Sequence, residues 1–419
     1  MYASPPTVHV LGAGLSGLAA AVALVGAGRS VALYEAGPTA GGRCRSYPDR
    51  ALDLVIDNGN HLLLSGNRAA MTYLDAIDAR DRLAMPAQAM FPFLDLLTGA
   101  RWVLRPNQGR IGWWILCPGR RVPDTRAGAY LRLARLALVR DDRAVAAVVR
   151  DDMLYRRLIA PLAVAALNTA PEIGVARLLG AVLRETLLAG GAACRPLLPR
   201  RSLADSLIDP AVAWLTARGA PVQFGRRIAA LDLEAGRLAA LRTTEGPVVL
   251  RAGDQVVMAL PPWVAGTLLP GLTVPDAFEA ILNLHYKLNA PPRAPGFVGL
   301  IGGTAEWVFV KQGHVSVTVS AANRLVDQPA ETLAARVWPE VCAALGLPTG
   351  PMPPFRVVKE KRATIAATAA QEARRPGPRT AFANLALAGD WTATGLPGTI
   401  EGAIRSGHRA AALLLNSGP

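Results

Sequence analysis

The run Val8-His-Val-Leu-Gly12-Ala-Gly14-Leu-Ser-Gly17 decides how the beginning of this chain folds. Thr7–Leu11 is a short apolar strand, Gly14–Gly28 an alanine-rich helix, and Ser30–Tyr34 a second strand that ends at Glu35. Strand spacing gives way to helical spacing across glycines, which predicts a βαβ opening. Gly12 permits the tight turn, Gly14 lets the backbone approach a ligand, and Gly17 lets the helix pack closely on the strand. Leu15, Ser16 and Gly17 open the helix, so their N–H groups lie at its positive end, where a pyrophosphate binds. Glu35 can accept hydrogen bonds from both ribose hydroxyls and would repel a 2′-phosphate. Gly41-Gly42-Arg43 adds a second phosphate-proximal loop with a cation.

A second motif lies almost the whole chain away. Leu387-Ala-Gly389-Asp390-Trp391 is followed by Gly395-Leu-Pro397-Gly398-Thr399-Ile400-Glu401-Gly402. Leu385–Ala388 reads as a buried strand ending at Gly389, and Asp390 can reach a ribityl chain or the pyrophosphate. Gly398 and Thr399 lead into a helix from Ile400, whose N–H groups and dipole would face the N1–C2=O edge of a flavin. Reduced flavin is anionic at that edge, so a helix N-terminus there favours it. The pair of motifs points to FAD rather than NAD. No second GxGxxG marks a separate nicotinamide site, and with no cysteine near the C-terminal motif the FAD is expected to be noncovalent.

The chain has 419 residues, 51% hydrophobic and 18% charged, a globular composition with room for two or three domains. Cys44, Cys117, Cys194 and Cys342 are scattered, with no CxxC pair, so neither a metal site nor a disulfide framework is indicated. This fits a reducing, cytoplasmic setting. No basic residues precede the uncharged run Thr7–Gly28 and four glycines interrupt it between Gly12 and Gly26, so it reads as strand, turn and helix, not as a signal peptide or membrane span. The apolar stretch Leu158–Ala170 is too short to span and is interrupted by Pro161. The net charge of +14 is carried almost entirely by arginine. Residues 101–160 hold thirteen arginines against five aspartates, among leucines and Trp102, Trp113 and Trp114. That stretch reads either as a solvated helical face or as a surface for anionic lipid. No nucleic-acid motif accompanies the charge.

Between the motifs, residues 86–125 read as loops with short strands and 126–190 as helices, one of them starting at Pro171 with Asn168 or Thr169 near its cap. Val222–Phe224, Ile228–Leu233, Arg237–Thr243, Val248–Leu250 and Asp254–Leu260 read as strands returning to the cofactor unit, with Ile228 among the expected cofactor contacts. Asn283–Leu288, His314–Ser320 and Val357–Thr364 read as further strands, and Pro329 opens a helix to about Leu345 with a kink at Pro339. The expected architecture is discontinuous: residues 1–85, 195–265 and 375–419 bind FAD, and 86–194 with 266–374 build a substrate domain.

These motifs resemble the amine oxidase/phytoene desaturase superfamily. More specific strings, Asp57-Asn-Gly-Asn-His61-Leu-Leu-Leu-Ser-Gly66-Asn67, Gly303-Thr-Ala-Glu306-Trp307, Val358-Lys-Glu-Lys361-Arg-Ala-Thr364 and the run Gly389–Gly407, resemble its squalene-associated members, the hydroxysqualene dehydroxylases of hopanoid synthesis. The resemblance covers nearly the whole chain. It implies an α/β fold with a discontinuous Rossmann-like FAD-binding domain of the glutathione-reductase/amine-oxidase type and an inserted substrate domain. It also implies reductive conversion of hydroxysqualene to squalene, with hydride from flavin N5 and loss of water. Such chemistry needs an acid, a dry apolar channel and a positioned flavin. By the same resemblance, Asn60 and His61 lie beside the flavin ring. His61 is the first candidate acid; His285 and Glu306 follow. Asp57 reads as structural, holding N–H groups of its own turn. Lys359 and Lys361 read as surface or domain-interface residues.

A thirty-carbon apolar substrate implies an enzyme peripheral to the inner face of the cell membrane, with residues 101–160 at the entrance and neighbouring squalene and hopanoid enzymes as partners. No electron donor is named by the sequence. Three other readings share its features: an FAD polyene desaturase, an amine oxidase, and a noncatalytic flavin-binding lipid carrier.

Overall fold

In the computed structural model, which describes residues 5–149, 151–291 and 294–416, the opening unit is the strand Thr7–Leu11 (β1), the helix Leu15–Gly26 (α1) and the strand Ser30–Tyr34 (β2). Five parallel strands form one sheet, in the order Val222–Gln223, β2, β1, Gln255–Met258, Leu385–Leu387. Numbered along the chain, that order is 3-2-1-4-5 and reverses between β1 and Gln255–Met258. Where the order reverses, the connections leaving two neighbouring strands diverge to opposite faces and open a crevice at the strands' C-terminal ends. Val8, Val10, Val256 and Val257 are fully buried, as expected of a parallel sheet covered on both faces. The C-terminal helix Ile400–Asn416 packs against α1 at Gly407, where a Cβ would overlap the Ser16 carbonyl oxygen.

A second sheet has seven strands, in the order Phe355–Ile365, Phe278–Tyr286, His314–Val319, Trp307–Lys311, Phe297–Ile301, Phe91–Asp95, Arg101–Leu104. All its pairings are antiparallel except that of Phe297–Ile301 with Phe91–Asp95. Leu282, Leu284, Val315 and Val317 pack against Val337 and Val341 of the helix Ala330–Leu345. The two-residue period of a strand puts Asn283, His285, Ser316 and Thr318 on the opposite face. There the register sets Asn283 against Thr318 and His285 against Ser316. Across the sheet the same side becomes aromatic, with Phe93–Trp102 and Phe93–Trp307 ring centroids 5.6 Å apart and Phe297–Trp307 5.8 Å. Gly299 makes room for this: a Cβ there would lie 2.6 Å from the Phe93 ring.

The segment after Tyr130 is helical, as its spacing predicts, in Leu131–Leu138, Val145–Val148, Ala160–Leu167 and Ala176–Glu185. Two expectations fail locally. Pro161 does not interrupt the apolar stretch; a π-turn at Tyr155–Ile159 runs directly into Ala160–Leu167, and the proline follows that wider turn. No helix starts at Pro171. Asn168 instead ends a helix in the left-handed conformation (φ 48°), and the next begins at Ala176. Asparagine tolerates that conformation, and tertiary hydrogen bonds hold its side chain. Among the described residues no helix is long and apolar enough to cross a membrane.

Candidate active site

The crevice at the switch point is built by glycines. Gly12 has φ 98°, and a Cβ there would lie 2.7 Å from the Ala259 carbonyl oxygen on the neighbouring strand's extension. A Cβ on Gly17 would overlap the Gly12 carbonyl oxygen, so helix and turn meet only because both residues lack one. Gly14 is different: the space where its Cβ would point is open, and no side chain caps α1. The N–H groups of the first turn are therefore left free of side-chain acceptors and open outward. The Gly41-Gly42 loop closes one side, through the Gly41 N–H donating to the Ala13 carbonyl at 2.8 Å. Glu35 accepts from the Ala13 N–H at 2.9 Å and the Gly37 N–H at 2.8 Å, one bond to each carboxylate oxygen. Each oxygen keeps a lone pair for a ribose hydroxyl. Ile228 sits nearby, in one apolar cluster with Leu11 and Tyr34, and the Arg226 N–H donates to the Glu35 carbonyl at 2.9 Å.

The two distant motifs touch. Arg43 donates to Asp390 Oδ1 at 2.6 Å and to the Ala363 carbonyl at 2.6 Å. Gly398 lies over Asp390; a Cβ there would be 3.1 Å from Asp390 Oδ2. Thr399 Oγ1 accepts from the Gly402 N–H at 3.1 Å and caps the C-terminal helix from Ile400. Glu401 points back to cap the helix Arg68–Ala76, accepting from the Ala69 and Ala70 N–H groups at 3.0 and 2.9 Å. The Asp57–Asn67 loop is thereby tied to the C-terminal helix. A cradle with open space at Gly14, an arginine beside it and an uncovered helix start fits a dinucleotide.

Beyond the cradle, the Asp57–His61 loop meets the polar face of the seven-stranded sheet. Asn60 Nδ2 donates to Ser316 Oγ at 2.7 Å and Thr318 Oγ1 at 3.1 Å, and the Asn60 N–H to Asn283 Oδ1 at 3.2 Å. Asn60 Oδ1 is buried without a partner, an acceptor left for something absent from the chain itself. Asp57 does not hold its own turn, as the sequence suggested. Its donors come from three other elements: Ser46 Oγ at 2.6 Å, the Leu203 N–H at 2.9 Å and Lys311 Nζ at 2.7 Å. Lys311, which sequence reasoning did not single out, is thus beside the site. Asn60, His61, Asp57, Lys311 and Phe309 border one cavity of about 120 Å³.

The three candidate acids differ in what burial does to them. Among the described residues His61 has no hydrogen-bond partner, and burial, helped by the Arg43 and Lys311 charges against Asp57, pushes it down to about 4. His285 is fully buried, with Nδ1 3.0 Å from Ser316 Oγ and Nε2 unpartnered. Burial, then the charges of Lys311 and His314, push it to about 3. Both imidazoles are neutral at pH 7. Burial acts on Glu306 in the opposite sense and pushes its carboxyl up, against the pull of the Ser320 N–H, which donates to Oε2 at 2.9 Å. Desolvation disfavours whichever form is charged, so it strips histidines of protons and leaves them on carboxyls.

Glu306 connects to the C-terminal motif through Asn168. The Ala321 N–H, next to Ser320, donates to Asn168 Oδ1 at 2.7 Å, and Asn168 Nδ2 donates to Thr364 Oγ1 at 2.9 Å. Thr364 lies under Gly398, 3.3 Å from where a Cβ would be. Asn168, Asn283 and Lys311 are the residues that sequence reasoning missed. Asn283 was findable, since Asn283, His285, Ser316 and Thr318 alternate with buried leucines and valines along their strands. Lys359 and Lys361 lie away from this centre; Lys359 donates to the Gln328 carbonyl, and Lys361 pairs with Asp327 at the surface.

With this geometry in view, the likenesses to known proteins are specific. A model of the flavin containing amine oxidoreductases matches residues 15–290 and 309–415. A hydroxysqualene dehydroxylase of Rhodopseudomonas palustris is 51% identical over 98% of this chain and 99% of its own length. One from Sinorhizobium fredii is 47% identical over 98% and 99%. Among solved structures, the cyclohexylamine oxidase of Brevibacterium oxydans superposes with a TM-score of 0.67 over 98% of this chain and 99% of that one, at 14% identity, a likeness of fold alone. Near-full-length identity of this order, carried on a crevice that fits a dinucleotide, leaves one assignment: the chain belongs to the flavin containing amine oxidoreductases and, among them, to the group of the hydroxysqualene dehydroxylases.

Proposed function

We propose that this protein converts hydroxysqualene to squalene, using FAD held noncovalently in the crevice between the glycine loops and the C-terminal helix. The observation that carries the reading is the near-full-length likeness to the hydroxysqualene dehydroxylases. Residues 1–85, 195–265 and 375–419 act as the cofactor unit, and 86–194 with 266–374 as the substrate unit. Gly12, Gly14, Leu15, Ser16 and Gly17 receive the pyrophosphate, Glu35 the ribose, and Ile228 flanks the adenosine. Gly41, Gly42 and the Arg43–Asp390 pair close the pyrophosphate side. Gly389, Gly398, Thr399 and Ile400 present the C-terminal helix to the ring, with Asn60 and His61 at its edge. Bound FAD in its reduced form supplies the hydride that replaces the departing hydroxyl.

The chain's own residues supply the rest. Glu306 is the proton donor: of the three candidates, it alone is pushed by burial toward holding its proton rather than losing it. The proton goes to the allylic hydroxyl, which leaves as water. His61 and His285, neutral, do not donate the proton, and His285 holds Ser316 through Nδ1. The aromatic side of the seven-stranded sheet, Phe93, Trp102, Phe297 and Trp307, excludes water along the polyene. Substrate and product partition into lipid, so the enzyme works as a peripheral protein at an anionic membrane face, within reach of the enzymes that make hydroxysqualene and use squalene. An anaerobic single turnover tests the reaction: chemically reduced holoenzyme is mixed with hydroxysqualene in detergent, and flavin absorbance and lipid masses are followed. Flavin reoxidation matched by squalene supports the reading. A flavin that stays reduced with the alcohol bound and intact overturns it.

A further inference from the structure

Residues 97–138 expose apolar side chains that a water-facing surface would hide. Ile111 is 82% exposed, Leu138 72%, Leu131 70% and Leu116 67%. On the helix Leu131–Leu138, the inward positions Leu133, Leu136 and Ala137 are buried against the helix Ala176–Glu185, where Gly180 allows close contact with Leu136. The outward positions Leu131, Ala134, Arg135 and Leu138 recur at helical spacing and are all exposed. This short helix is therefore apolar on two sides, and only one of them is covered.

The other exposed apolar groups adjoin it. Trp114 packs edge-on against Tyr130, with ring centroids 5.2 Å apart, and Tyr130 immediately precedes the helix. Its neighbour Trp113 is half exposed under the Arg120 guanidinium, 4.9 Å from the ring. Ile111 and Trp113 border a shallow groove of about 640 Å³ with Arg110 and Arg120.

The arginines of this stretch divide into two sets. Every aspartate between residues 101 and 160 is already in an ion pair: Asp124 and Arg157, Asp141 and Arg143, Asp142 and Arg177, Asp151 and Arg156, Asp152 and Arg132. Among the described residues of this stretch eight arginines have no carboxylate partner, and five of them, Arg110, Arg120, Arg126, Arg135 and Arg140, lie on the segments that expose the leucines, isoleucine and tryptophan. Most of the positive surplus is thus found beside the exposed apolar groups.

We infer that the helix Leu131–Leu138, with Ile111, Trp113 and Leu116, is the surface that docks on an anionic lipid bilayer. Leucine, isoleucine and tryptophan enter the headgroup–acyl boundary, and the unpaired arginines meet lipid phosphates. The charge sign selects this occupant. A second copy of the chain would bring arginine against arginine, and a neutral micelle would leave the cations without counter-ions. The inference rests on the peripheral placement proposed above and fixes where it occurs.

Flotation of the FAD-loaded protein with vesicles tests it. Phosphatidylglycerol–phosphatidylcholine vesicles should carry the protein up the gradient at low salt, and phosphatidylcholine alone should not. Arg135→Glu with Arg140→Glu should cut partitioning by at least about tenfold. Leu131→Ser with Leu138→Ser should do the same even at low salt, while both variants keep the flavin spectrum and full turnover of substrate presented in detergent. No binding to anionic vesicles, equal binding to neutral ones, unchanged binding of both variants, or self-association through this face in sedimentation would each overturn the inference. Absence of squalene formation with vesicle binding intact would instead count against the proposed reaction and leave the docking surface standing.

Discussion

Three histidines near the site make the fold sensitive to mild acid. The sign follows from proton binding. An unfolded histidine titrates near 6.5, whereas burial holds His61 and His314 to about 4 and His285 to about 3. Between those limits the unfolded chain binds protons that the folded chain refuses, so stability falls as pH falls. At pH 7.5 the difference is negligible. At pH 5.5 the three histidines together contribute a loss of roughly 4 kcal/mol, and at pH 5 about 6 kcal/mol. A domain's whole stability is only about 5–15 kcal/mol, so the loss is of the same order. His285 and His314 lie 5.6 Å apart, each with Nε2 unpartnered, and placing a proton on either disfavours one on the other. Urea unfolding of the holoenzyme, followed by tryptophan fluorescence between pH 7.5 and 5, should show the midpoint dropping steadily. His314→Gln should make that slope shallower, the remainder coming from His61, His285 and the likewise depressed His9 and His408. A midpoint constant over this range, or a slope untouched by the substitution, would refute the argument.

Other consequences are equally measurable. Asp57→Asn leaves Lys311 half-buried and unpaired and should cost about 3 kcal/mol; the double change with Lys311→Met should recover part of it, and strict additivity in a thermal double-mutant cycle would show the pair to be uncoupled. Gly17→Ala should abolish stoichiometric flavin at purification, read from the visible-to-ultraviolet absorbance ratio, because backbone and not a movable side chain occupies the space. Glu306→Gln should slow the single-turnover step by about a hundredfold or more while binding is kept, whereas a loss of the same size in His61→Gln alone would transfer the acid role. The pH–rate profile should lack an inflection from a histidine between pH 6 and 7, since both site imidazoles titrate far below.

How much of this was legible in the chain depends on range. β1, β2 and the C-terminal helix fall where the glycine turns and apolar runs put them, because a strand–turn–helix written in contiguous residues is a local problem. That the two motifs meet was also readable, since each is half of a site. Their contact through Arg43 and Asp390 needed only a cation and an acid already singled out. What the sequence withheld is long-range pairing. Asp57 looks self-sufficient in its own turn, yet its three donors come from three other elements. Asn168 looks like the start of a helix, because asparagine favours N-caps; its side chain is instead bound to Thr364 and Ala321, and the left-handed backbone follows from that. The proposed acid differs from the sequence's first candidate for a related reason. Histidine is the commonest proton carrier near neutrality when solvated, and only the depth of burial shows that these imidazoles are held neutral.

The order of the cofactor sheet has a consequence for how the molecule is made. Its central strand, β1, emerges from the ribosome before the others, but the outer strand Leu385–Leu387 and the C-terminal helix that follows Gly398 emerge after the whole seven-stranded sheet. A nascent chain that has reached residue 300 carries both glycine loops and Glu35 but neither Asp390 nor the helix covering α1. It therefore exposes the apolar surface of α1 and holds Arg43 without its counter-ion through most of synthesis. Flavin capture is then a late event, at the closing of the sheet, and a shortage of FAD would act on chains already complete, which are the ones most exposed to aggregation and proteolysis.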